Sequence, residues 1–271
     1  MHHVREAAVA GAFYPWHREA LCDEVASLLA VAEAQMDGTV KPPKALIVPH
    51  AGYIYSGATA ALAYAQLAGA RDSIQRVVLL GPVHRVPVRG LALAGASAFA
   101  TPLGEVQVDE QAITRLSSLP QVVASAAAHE LEHSLEVQLP FLQTVLANFK
   151  LVPLAVGDAT AQEVAQVLET LWGGPETLIV ISSDLSHFLP YTTAQSVDAE
   201  TVQHILALDG QITHAQACGG TPINGLLLAA RRHHLTPHLL GQCNSGDTAG
   251  DKQRVVGYTA ISFTEVSDGP H

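Results

Sequence analysis

Three apolar runs in this chain end in residues able to do chemistry. ALIV at 45–48 leads through Pro49 to His50. RVVLLG at 76–81 leads through Pro82 and Val83 to His84. TLIVISS at 177–183 ends in Asp184-Leu185-Ser186-His187. In open α/β sheets, ligands bind at the carboxyl edge of the strands. If these runs are parallel neighbours, two or three imidazoles and a carboxylate meet at that edge. Neutral imidazole is a ligand for iron, zinc or copper, and carboxylate is a harder oxygen donor. Two His and one carboxylate on one face, with open positions opposite, is the pattern of non-haem Fe(II) sites. Asp184 is one carboxylate at that edge, and Asp247, in the loop CNSGDTAGD at 243–251, is a candidate for a further one.

Each residue also has a plainer reading. Asp184 caps a following helix as readily as it lines a pocket. His133 and Glu136 lie three apart in HELEHSLE and share one face if a helix begins there. His133 is then a pocket residue or a solvated surface group. Tyr53 and Tyr55 either line the pocket or pack under the first helix after His50. The histidines at 129, 204, 214, 233, 234 and 238 read as surface or core residues, and those at 2, 3 and 271 as terminal ones.

The elements that position these residues alternate between strand and helix. Leu21, Val25, Leu28, Leu29 and Ala32 recur at helical spacing within 17–35. Further helices are expected at 58–67, 109–116 with Asp109 near its N-cap, 160–172, 194–208 and 224–234. An amphipathic helix at 135–149 is expected to kink near Pro140. Strands are expected at 45–48, 76–81, 91–94, 150–156, 177–183 and 254–263, with a short one ending at Leu239-Leu240. A turn is expected at 101–104 and a loop at 38–43. The pattern predicts an α/β protein with a mixed or largely parallel central sheet and helices on both faces. No long linker and no fixed-period repeat divides the chain, so residues 1–271 read as a single domain. There is no GxGxxG or Walker loop, hence no sign of a nucleotide site.

Composition narrows the function classes. Of 271 residues, 48% are hydrophobic and 14% charged, which supports a sizeable core. The net charge of −11 opposes nucleic-acid binding. No apolar run reaches about 18 residues, so no membrane-spanning helix is expected. The start of the chain lacks a signal-peptide pattern. Three scattered cysteines without a CxxC fit a reducing, cytoplasmic setting. Fourteen histidines make metal or acid–base chemistry the property to pursue.

The segments VREAAVAGAFYP, VPHAGYIYSG, LLGPVHRVPVRG, EHSLEVQLPFL, SSDLSH and NSGDTAGDKQRVVGY follow one another in this chain. Their order and spacing resemble the Memo-like family, whose bacterial and archaeal members include those called AmmeMemoRadiSam system protein B. The resemblance runs from about residue 4 to 263. It implies a fold similar to the class III extradiol dioxygenases, which hold Fe(II) with two His and a Glu and use a further His in acid–base catalysis. By motif, His50 and His84 match the two ligand histidines and His187 the acid–base histidine. Asp184 and His133 match polar residues of the same cleft. The human family member carries a Cys in the loop before the last strand. Alignment on the final V-x-Y segment puts Thr248 there, with Asp247 beside it and Cys243 several residues too early. Asp247 would then restore a carboxylate as third ligand.

The implied function is a metal-dependent, dioxygenase-like redox enzyme with Fe(II) as its metal, zinc and copper being the alternatives. The alternatives are a non-catalytic module binding a peptide, a protein or a metal in the same cleft, and a hydrolase with zinc-bound water. The expected partners are a small molecule or peptide and, from the family name, radical-SAM and AMMECR-type proteins.

Overall fold

The computed structural model describes residues 3–36 and 41–265. The loop expected at 38–43 falls partly on residues outside that description, as do His2 and His271. Elements follow in the order β1 (Val4–Arg5), α1 (Arg18–Glu33), β2 (Ala45–Val48), α2 (Tyr53–Ala65), β3 (Arg76–Pro82) and β4 (Leu91–Leu93). Next come β5 (Ala98–Thr101), β6 (Gly104–Gln107), α3 (Glu110–Leu116), β7 (Val122–Ala124), α4 (Ala126–Glu130) and α5 (Leu139–Val145). The chain continues through β8 (Lys150–Val156), α6 (Ala161–Leu171), β9 (Thr177–Ser182), β10 (His187–Leu189) and α7 (Tyr191–Leu206). It ends with α8 (Gly220–Arg232), β11 (Leu235–Asn244) and β12 (Val255–Glu265).

Among the described residues a nine-stranded mixed sheet runs in the order β10-β12-β2-β9-β3-β8-β4-β7, with β11 pairing β12 along nearly its whole length. Its centre is parallel: β2 pairs with β9, β9 with β3 and β3 with β8. The register aligns the strand exits, because Val48 lies opposite Ser182 and Leu80 opposite Ile181. The segments carrying His50, Asp184 and His84 therefore leave the sheet side by side. β10, β11 and β12 close one side antiparallel, while β4 turns antiparallel to β8 on the other.

Every residue of β2 and β9 is buried, as a central parallel strand covered on both faces requires. Successive side chains point to opposite faces. Leu46, Val48, Val77 and Leu79 pack with Leu21 of α1, Tyr64 of α2 and Phe141 of α5. Ala45, Ile47, Val78 and Leu80 pack with Leu168 of α6 and Leu226 of α8. Helices thus cover both faces, as the alternation of elements predicted. Among the described residues, no helix is long and apolar enough to cross a membrane.

Local chemistry explains where the elements depart from expectation. α2 begins at Tyr53 rather than at 58, because the Tyr53 amide bonds to the Phe13 carbonyl at 2.8 Å while the helix ladder starts from Gly52. Gly57 is accommodated because α1 passes close by: a Cβ there would lie 3.0 Å from Leu28 Cδ1. The helix expected over 135–149 is shorter, a 3-10 turn at Glu136–Gln138 followed by α5. Pro140 sits in the first turn of α5, where its missing N–H has no helical partner to lose. β11 is a ten-residue strand, much longer than the short one expected, and its largely exposed pattern hides it from a hydrophobicity reading. The turn at 101–104 joins β5 to β6, which with β1 form a separate three-stranded sheet. Asp109 caps α3 as expected, and Thr160 and Glu163 form a capping box on α6.

Candidate metal centre

His50 leaves β2 after Pro49 and is held from three sides. Its backbone N–H donates to Asp184 Oδ1 at 2.7 Å. Its Nδ1 lies 2.9 Å from Ser182 Oγ at the end of β9. The tautomer follows from the neighbours. Ser182 gives its one hydrogen to the Ser134 carbonyl and accepts from Gln138 Nε2 at 2.8 Å. Gln138 is itself fixed, since Nε2 also donates to the Pro49 carbonyl and Oε1 accepts from Tyr64. Ser182 therefore accepts from His50 Nδ1–H, which leaves Nε2 as the acceptor nitrogen of His50, with the Cys218 thiol 3.3 Å away.

His84 leaves β3 two residues after Pro82, and His133 comes from the segment between α4 and α5. One carboxylate holds both. Glu132 Oε1 lies 2.9 Å from His84 Nδ1 and 3.3 Å from His133 Nδ1. A carboxylate is an acceptor, so His84 is also the Nδ1–H tautomer. Backbone N–H groups of His84, His133 and Ser134 complete the contacts to Glu132.

The three imidazoles pack together. Ring centroids are 5.3 Å apart for His50–His84 and His50–His133, and 4.7 Å for the stacked pair His84–His133. One ligand nitrogen from each lies within 4.8 Å of the others, close enough to hold a metal ion. His50 is 1% exposed, whereas the His84 side chain is 29% exposed, so the group opens towards solvent on the His84 side.

Burial pushes His50 well below its ordinary range, with the positive charges of His133 and His84 adding to the effect. Burial opposes ionisation of Glu132, yet hydrogen bonds from His133 and His84 hold its carboxyl well below the usual range. His50 is therefore held as a neutral imidazole close to the ionised Glu132 carboxylate, the form in which an imidazole ligates a metal.

Other expected residues fall around this group. Asp184 is buried, its Oδ2 lies 4.0 Å from His50 Nε2, and burial raises its pKa. His187 opens β10 and is close enough for its charge to act on both His50 and Asp184. Asp247 is not one of the clustered residues: Oδ1 accepts from the Tyr191 hydroxyl and Oδ2 from the Asn244 amide, 3.0 Å away. The loop before β12 folds into a 3-10 turn at Ser245–Asp247, and closing that turn occupies this carboxylate. Glu136 turns away to a buried ion pair with Arg5. Tyr53 is buried and donates to the Val137 carbonyl, while Tyr55 is 37% exposed. His129 is a core residue bonded to the Ala92 carbonyl, its pKa pushed down to about 4 by burial.

Two site residues were not found from sequence. Glu132 stands beside His133 in HELEHSLE and shares its polar context, which was a usable signal. Cys218 had none: it precedes α8, far along the chain, yet its Sγ lies 3.3 Å from His50 Nε2. Burial and the nearby Asp184 charge push the Cys218 thiol up to about 12.

Fold and site together define an α/β protein with an imidazole cluster at the carboxyl ends of central parallel strands. The sequence profile described as Memo-like protein matches residues 5–262, and the chain belongs to this family. It is 37% identical to a MEMO1 family protein of Methanosarcina mazei, with 95% of this chain and 98% of the relative aligned. A MEMO1 family protein of Aquifex aeolicus is 35% identical over 96% of this chain and 99% of its own. The crystal structure of an uncharacterized protein from Escherichia coli K12 superposes with a TM-score of 0.50 at 15% identity, covering 82% of this chain and 99% of the other. At that identity the likeness speaks for the fold alone.

Proposed function

We propose that this protein binds one divalent transition metal through the ε nitrogens of His50, His84 and His133 and acts as a metal-dependent, dioxygenase-like oxidoreductase. The carrying observation is the convergence of three imidazoles whose δ nitrogens are all engaged elsewhere. Imidazole donors suit iron, zinc and copper, and Fe(II) is the metal this reading favours because of the resemblance to extradiol dioxygenases. Cys218 Sγ, against His50 Nε2, adds a soft donor at the same edge. A metal here would supply Lewis acidity and, if it is iron, one-electron chemistry.

The chain's own residues have separate tasks. His187 moves a proton at the pocket edge, a role suited to an imidazole. Asp184, its pKa raised by burial, lies 4.0 Å from His50 Nε2 while its Oδ1 fixes the His50 backbone. The partly exposed His84 side is the entrance for a small molecule. Radical-SAM and AMMECR-type proteins are the partners this reading assigns, and the cytoplasm its setting.

The first experiment is metal analysis of protein purified without chelators. About one equivalent of iron is expected in wild type and in Asp247→Ala, and little in His50→Ala. No bound metal in wild type, or retention in His50→Ala, overturns the reading. Substrate-dependent oxygen uptake with catechol-like compounds then separates an enzyme from a binding module. The binding reading is favoured by one feature, the exposure of Ile54 and Phe188 at 68% and 59%, near His50 and next to His187 in the chain.

A further inference from the structure

We propose that Glu132 is the positioning residue of this centre, a single carboxylate that turns two imidazoles, His84 and His133, towards one point. The inference rests on the metal reading above and adds to it the group that sets the ligands' orientation. An imidazole on a strand exit has two ring orientations and two tautomers. Both freedoms must be removed before its ε nitrogen becomes a pre-aimed donor. For His50, Ser182 removes them. For the other two rings Glu132 provides the polar contact at Nδ1, beside the packing of His133 on Phe13 and on His84. Oε1 takes the Nδ1–H of His84 at 2.9 Å and lies 3.3 Å from Nδ1 of His133, and Oε2 takes the His84 backbone N–H at 2.6 Å.

The carboxylate is anchored from behind. The Glu132 carbonyl accepts from Arg5 Nη2, and the His129 carbonyl from Arg5 Nε at 2.9 Å. Arg5 is in turn paired with the fully buried Glu136. Glu136 takes further bonds from Ala8 N at 2.7 Å, Val9 N at 3.0 Å and the Tyr14 hydroxyl at 2.5 Å. Arg5 thus spends its charge on Glu136 and reaches Glu132 only through the backbone. The Glu132 carboxylate keeps two imidazoles as its side-chain partners, and a shared oxygen couples their positions.

A purely structural carboxylate would be satisfied by the backbone N–H groups and would leave the rings indifferent to its loss. A positioning one makes two measurable differences. In metal-free protein, nitrogen-15 histidine spectra should show His84 as the Nδ1–H tautomer, and Glu132→Gln should move it towards the Nε2–H form, because the amide sets a donor where an acceptor stood. In zinc titrations against a chromophoric chelator, Glu132→Gln should weaken binding about 10–100-fold. Glu132→Asp, which keeps the charge but retracts it, should fall between, and serves if the Gln variant does not fold. Val167→Ala, a cavity variant on the buried face of α6, controls for stability and should bind zinc as wild type does. Unchanged His84 tautomer, or zinc affinity within threefold of wild type in both Glu132 variants, overturns the proposal. If wild type takes up no zinc, the metal reading falls, and the tautomer measurement still decides what Glu132 does.

Discussion

Replacing Ser182 by alanine removes one oxygen beneath His50 and strands three groups at once. The hydroxyl donates to the Ser134 carbonyl at 2.5 Å, accepts from Gln138 Nε2 at 2.8 Å and accepts from His50 Nδ1 at 2.9 Å. All four residues are buried. A hydroxyl is smaller than a water molecule, so water cannot take its place without local rearrangement. A buried donor or acceptor left unpaired costs about 1–3 kcal/mol. Gln138 keeps its bond to the Pro49 carbonyl, which softens its loss. The total for Ser182→Ala is about 3–6 kcal/mol, a large share of the roughly 5–15 kcal/mol of a typical fold. At about 2 °C per kcal/mol for a chain of this size, the midpoint should fall by about 6–12 °C. Urea unfolding of metal-free protein is the assay, with Ser183→Ala as a neighbouring comparison. A loss under about 1 kcal/mol with unchanged urea dependence would refute the account of Ser182 as the hub of this network.

Three further outcomes follow from other parts of the fold. Gly257→Ala should destabilise by about 2–4 kcal/mol in urea unfolding, because a Cβ would fall 1.9 Å from Asp198 Oδ2 under the strand that pins Leu185 and Ser186. Asp109→Ala should cost about 1–2 kcal/mol for the lost α3 cap, and more with the Arg76 partner gone. Although burial opposes it, the Ala112 N–H and Arg76 hold the Asp109 carboxyl below its ordinary range, so its stabilisation is full above the unfolded value of about 3.9 and fades as acid protonates it. The gap between wild type and Asp109→Ala should therefore narrow in unfolding curves taken below about pH 4; an unchanged gap would count against the pair. Iodoacetamide at pH 8 should label exposed Cys22 first and leave Cys218 unmodified in native metal-free protein, since burial pushes that thiol up to about 12. Peptide mapping reads this, and early Cys218 labelling would contradict the burial described.

What the sequence made legible is what periodicity and local punctuation control. The strands at 45–48, 76–82 and 177–182 stand out because central parallel strands are apolar on both faces. Their pairing as neighbours put His50 and His84 on either side of Asp184 without any contact being known in advance. β11 was read short because it is an edge strand paired only to β12, and half-exposed residues carry little hydrophobic signal. The start of α2 was missed because its first turn is tied to the N-terminal segment, through the Phe13 carbonyl, rather than by a cap residue of its own.

The site divides along the same line. Residues at strand exits are placed by the sheet, so their convergence can be argued from the pattern alone. Residues brought in by loops cannot, because a loop position depends on contacts spread over the whole chain. Cys218 reaches His50 across 168 positions, and Glu132 reaches His84 across 48. Asp247 illustrates the converse. Its place before the final strand made it a reasonable carboxylate, yet a polar residue in a tight loop first satisfies the loop's own backbone, and Asp247 does so by taking the Asn244 amide. The acid group that meets the imidazoles instead sits next to His133, on a segment whose backbone is clamped by Arg5 from the other end of the fold. A carboxylate can orient a ligand only when its own loop is held by something else, and here that hold comes from the buried Arg5–Glu136 pair.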